Sequence, residues 1–144
     1  MNDPLAVAAA DTPTPVHIHL MHGYEPDLFF DGDRFMDYLD ATYKAFDVAT
    51  YSVSRSHHSP LYRVNRLIYG IRQIGTTVKP KEKRFIMNNH VKLFLCYDAK
   101  GQVDVYLGSQ NLTHGTNLNL MLKAPTHLVE PLIVFFNTLW NSAS

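Results

Sequence analysis

The sequence predicts an α/β domain, and three observations carry that prediction. Short stretches have apolar residues alternating with period two; longer ones have them recurring every three to four positions; and near Phe46 the second kind runs directly into the first. At 144 residues, 46% hydrophobic and 18% charged, the chain fits one globular domain around a single core.

Residues 1–15, rich in Ala, Pro and Thr, read as a loose tail, and residues 16–144 as the folded domain. Val16 to Met21 alternates as a strand, with His17 and His19 on one face and His22 just beyond. No carboxylate, cysteine or further histidine is spaced to complete a metal site around this trio, so packing, a subunit contact or a substrate contact is the better reading. Asp31-Gly32-Asp33 is a turn with an N-cap, and the helix after it places Phe35, Met36, Leu39, Tyr43 and Phe46 on one stripe. Phe46 to Val53 reads as a strand and Ser54 to Ser59 as a polar loop holding Arg55, His57 and His58. Loops at strand ends can line a cleft, although exposed polar residues are commoner there. A helix is expected from Ser59-Pro60 to Gly75, with Leu61, Val64, Leu67, Ile68, Ile71 and Ile74 at helical spacing. His90 to Tyr97 and Val103 to Leu107 read as a hairpin closed by Asp98-Ala99-Lys100-Gly101. Asn117 to Lys123 alternates again, with Leu118, Leu120 and Leu122 on one side and Asn117 and Asn119 on the other. His127 to Asn141 reads as an apolar helix with Pro131 near its start, and its aromatic load suggests partial cover by a second subunit.

Net charge is zero, but its distribution is uneven. Met1 to Asp47 holds nine acids and two bases (−7), Val48 to Tyr97 nine bases and one acid (+8), and the remainder sums to −1. The basic share, Arg55, Arg63, Arg66, Arg72, Lys79, Lys81, Lys83, Arg84 and Lys92, leads toward His90 and would suit a polyanion. For Arg63, Arg66 and Arg72 a solvated helix face is the competing reading. The lone Cys96 reads as buried and inert. No run of 18 apolar residues would span a membrane, and no secretory signal is read at the start, which leans toward the cytoplasm.

The chemistry concentrates between Asn88 and Met121. On a strand, His90 and Lys92 project from the same face. An imidazole, with its ordinary pKa of about 6.5, is largely neutral and nucleophilic at neutral pH, while a lysine can neutralise phosphate oxygens. In Gly108-Ser109-Gln110-Asn111 the glycine permits close backbone approach, and the Ser109 hydroxyl and Asn111 amide offer neutral donors. Together these residues read as a phosphate cradle with its own attacking group.

The order His90-x-Lys92, then Gly108-Ser109-x-Asn111, resembles the phospholipase D superfamily, in particular its short single-motif bacterial endonucleases. The resemblance extends from about Phe35 to Trp140. It implies a mixed β-sheet flanked by helices on both faces, and a metal-independent phosphodiesterase working through a covalent phosphohistidine. His90, Lys92 and Asn111 would be catalytic, with Lys92, Ser109 and Asn111 holding phosphate. The sequence departs from the pattern twice. Tyr97 stands where the motif usually has aspartate, with Asp98 one residue late; Asn119, or as the weaker alternative Asn117, would have to take the place of a glutamate that usually holds the histidine ring. An amide oxygen can fix the ring tautomer but cannot stabilise an imidazolium as a carboxylate does.

One motif copy supplies one histidine, whereas the two-step mechanism wants a nucleophile and a general acid on opposite sides of the phosphorus. A homodimer with its two-fold axis through the site would supply both. The expected substrate is nucleic acid, DNA more than RNA, with no membrane partner. No cofactor is expected, because no carboxylate cluster for Mg²⁺ is visible. The alternative expectation is a catalytically weakened nucleic-acid-binding or adaptor protein, and a metallohydrolase built on His17, His19 and His22 is a third.

Overall fold

The computed structural model describes residues 28–53, 63–71, 80–112 and 118–144. The expected strand at Val16 to Met21, the histidines at 17, 19, 22, 57 and 58, and Arg55, Arg72, Lys79 and Asn117 lie outside those residues. In chain order the elements are β1 (Leu28–Asp31), α1 (Gly32–Thr42), β2 (Ala45–Thr50), β3 (Val64–Tyr69), β4 (Glu82–Phe85), β5 (Leu93–Tyr97), β6 (Val103–Gly108), β7 (Leu118–Lys123) and α2 (Thr126–Ser142). The strands form one seven-stranded sheet in the order β1-β7-β6-β5-β2-β3-β4. It is mixed: β3 pairs parallel with β2 and β4, and every other pairing is antiparallel.

α1 starts as its sequence dictates. Asp31 caps it, its carboxylate accepting the Asp33 N–H at 2.8 Å and the Arg34 N–H at 3.3 Å. Phe35, Met36 and Leu39 form its buried stripe, but the helix stops at Thr42, so Tyr43 is its C-cap and Phe46 already belongs to β2. Strand β2 is accordingly shorter than read, ending at Thr50.

Within the helix expected from Ser59-Pro60 to Gly75, Val64–Tyr69 is instead strand β3, and 59–62 and 72–75 lie outside the described residues. Its apolar residues satisfy helical spacing and also that of a strand buried on both sides. Adjacent Leu67 and Ile68 enter different cores, as do Val48 and Ala49 on β2 and Phe94 and Leu95 on β5. One core packs beneath α1, the other beneath α2 through Phe136 and Trp140. Helices therefore cover both faces.

Three arginines expected on a basic approach do structural work. Arg63 bonds the carbonyls of Asp40 and Tyr43 and pairs with the Asp40 carboxylate at 2.9 Å. Arg66 pairs with buried Asp47 at 2.8 Å, reaches Asn137 on α2 and lies 4.8 Å over the Phe136 ring. Burial opposes the charge on Arg66, but the hydrogen bond and charge of Asp47 outweigh it and raise its pKa. Arg84 stacks on Trp140 and donates to its carbonyl. Arg63 thus ties down the end of α1, while Arg66 and Arg84 fasten α2 to the sheet.

On β7 the alternation has the expected period, yet its Leu120 and Leu122 are exposed and Met121 is the buried residue. Pro131 is the sixth residue of α2, inside the helix. The hairpin is as read: Asp98 accepts the N–H groups of Lys100 and Gln102, and Gly101 takes φ +80°. Cys96 is buried, and burial pushes its thiol pKa up.

Candidate active site

Strand direction brings both sequence motifs to one end of the sheet. β2, β3, β4 and β6 finish there, while β5 and β7 begin there. In open α/β sheets ligands gather beyond such strand ends. His90 to Lys92 enters β5, Gly108 to Asn111 leaves β6, and Tyr51-Ser52 leaves β2 on the other side of β5.

His90 is exposed, and it lies just before β5, where a strand was expected to have begun already. Its imidazole stacks flat on the Tyr51 ring, with centroids 4.4 Å apart and planes 8° from parallel. The preceding turn is fixed tightly. Asn88 takes a left-handed φ of 60°, a conformation asparagine tolerates. Buried Asn89 donates its amide to the Thr50 carbonyl at 3.1 Å, and its Oδ1 accepts the Val91 N–H at 3.2 Å. Gly70 lets the turn press against the end of β3, because a Cβ there would collide with the Asn89 backbone. Lys92 is half-buried and forms no ion pair or hydrogen bond among the described residues.

Asn111 is a clasp on the end of β2. Its Oδ1 accepts from the Thr50 hydroxyl at 3.1 Å, the Tyr51 N–H at 3.1 Å and the Ser52 N–H at 3.2 Å. Two backbone N–H groups pointing at one atom identify it as the oxygen. The Nδ2 group makes no hydrogen bond among the described residues, so it is the half of the amide able to donate to a ligand. Thr50 completes the clasp by accepting the Leu112 N–H at 2.9 Å.

Ser109 and Asn119 are found together. The serine hydroxyl donates to Asn119 Oδ1 at 3.2 Å and accepts the Leu120 N–H at 2.9 Å, tying β6 to β7. Gly108 serves the same junction: a Cβ there would run into the Leu120 carbonyl, so the close approach it permits is that of β7. Tyr97, at the position where aspartate was expected, lies at the other end of β5 and donates to Asp47 at 2.7 Å. Burial and then that bond push its hydroxyl pKa up to about 12.

The structure thus gathers His90 and Asn111 around one residue, Tyr51, which sequence reasoning did not single out. Its ring carries His90 and its N–H is held by Asn111. An aromatic at the C-terminal end of a strand was the available signal. Asn89 and Thr50, which fix the surroundings, were also missed, since buried polar partners become visible only once strands are placed. Among the described residues no three His, Cys, Asp or Glu side chains gather as metal ligands, and no helix is long and apolar enough to cross a membrane. No known family profile matches the sequence, and no curated protein is detectably similar to it.

Proposed function

We propose that this chain is a phospholipase D-like phosphodiesterase, a homodimeric, metal-independent endonuclease acting on DNA in preference to RNA. The observation that carries this reading is the meeting of His90 and Asn111 at Tyr51, with Lys92 two residues beyond the histidine. In the proposed reaction a ring nitrogen of His90 attacks phosphorus in line and the bond to the leaving oxygen breaks. The His90 of the second copy gives that oxygen its proton. Water, deprotonated by the same second histidine, then cleaves the phosphorus–nitrogen bond and restores His90. Lys92 and the Asn111 Nδ2 group stabilise charge on the non-bridging oxygens.

A second reading is favoured by one observation. Asn119 stands near the place of an expected carboxylate, and its oxygen accepts the Ser109 proton. On that reading the chain binds nucleic acid or acts as an adaptor with weakened catalysis. Nicking of supercoiled plasmid in excess EDTA separates the two. The enzymatic reading expects nicked product from the native chain, none from H90A, and acid-labile phosphate trapped on the protein; equal product from both chains would reject it.

A further inference from the structure

We propose that Tyr51 is a positioning residue that sets the plane of the His90 imidazole, an inference resting on the reading of His90 as nucleophile. An exposed histidine ordinarily changes rotamer on the picosecond to nanosecond scale. Here a phenol ring lies flat against the imidazole at 4.4 Å, within 8° of parallel. Such a stack restricts rotation about the side-chain bonds and leaves both ring nitrogens at its edge, where an attacking lone pair must be presented.

Tyr51 is well anchored for this role. Its N–H is bonded to Asn111 Oδ1 at 3.1 Å, and its carbonyl accepts the Gly70 N–H at 3.0 Å. The side chain therefore holds the attacking group while the backbone holds the amide that would contact phosphate. An aromatic face also attracts a cation, so the same ring stabilises His90 whenever it becomes an imidazolium. That matters because Asn119, the residue expected to support the ring, is bonded to Ser109 and supplies no carboxylate.

The test compares native chain, Y51F and Y51L by NMR of the His90 ring protons and by plasmid nicking. The native ring protons are expected upfield of free histidine, retained upfield in Y51F and released in Y51L. The turnover number of Y51L is expected to fall about tenfold with KM little changed, and Y51F to restore it. Native ring protons at free-histidine positions would overturn the proposal whatever the activity. Full turnover in Y51L with the ring shift lost would overturn it too, while the role of His90 would stand on H90A. Should H90A nick like the native chain, the enzymatic reading fails, and the ring shifts alone decide whether Tyr51 orients the imidazole.

Discussion

Replacing Asn111 separates its observed role from its proposed one, because its oxygen serves the fold and its amide nitrogen is proposed to serve the ligand. In N111A the Tyr51 and Ser52 N–H groups lose their acceptor, whereas the Thr50 proton still reaches the Ser52 carbonyl at 2.9 Å. Two part-buried donors left unpaired at about 1–1.5 kcal/mol each cost about 2–3 kcal/mol. With a urea slope of about 2 kcal/mol/M, the unfolding midpoint falls by about 1–1.5 M. N111D keeps an oxygen in place, so its midpoint stays within about 0.5 M of native. It loses the Nδ2 donor and sets a negative charge beside the phosphate, so nicking should drop about 100-fold or more. A native midpoint in N111A would refute the clasp, and native turnover in N111D would refute the phosphate role.

G70A places a methyl group into the Asn89 backbone, so a lowered melting temperature is expected together with displaced His90 ring resonances; unchanged resonances would mean that the turn does not fix the histidine. At high pH, Tyr97 carries a folded-state value of about 12 against an ordinary value of about 10, raised by burial and then by Asp47. Its contribution is complete below about pH 10 and is lost as pH climbs through about 12, so urea midpoints should decline across that window, and less steeply in Y97F. On the proposed homodimeric reading, M87D should lower the sedimenting mass to that of one chain and abolish nicking together while F135D does neither, as read by sedimentation and plasmid assay; the reverse pattern would move the two-fold axis away from His90.

The parts of this molecule legible in its sequence are those fixed by local chemistry. Asp31 as a helix cap and Asp98 to Gly101 as a hairpin need only neighbours in sequence, and both are where the residues put them. Val64 to Tyr69 failed because Val64, Leu67 and Ile68 satisfy two periods at once, and only burial on both faces of the sheet decides between them. The charge pattern misled in a related way. Arg63, Arg66 and Arg84 all belong to the basic segment, yet each meets an acid or an aromatic ring brought from another part of the fold or from its own strand. At the site, the motif residues were readable and their partners were not. Nothing local in the sequence says that Asn111 will grip β2 from 59 to 61 residues away.

Apolar exposure bears directly on how two copies would meet. Ile71, Met87 and Leu120 are exposed at the sheet end that carries His90, with Met87 the most open of them at 67%. Leu128, Val134 and Phe135 are exposed on α2, a helix that starts after the far end of β7. Each group offers apolar surface that association would remove from water. They are not equivalent for catalysis. In the proposed homodimer, a two-fold axis among Ile71, Met87 and Leu120 would set two His90 rings on opposite sides of one phosphate, whereas one through the start of α2 would leave each ring alone at its own sheet end. A single-motif chain can supply both nucleophile and acid only in the first arrangement. On the proposed homodimeric reading the side chains around His90 would form a joint as well as a cleft, which would give Met87, two residues before buried Asn89, a reason to be both apolar and open.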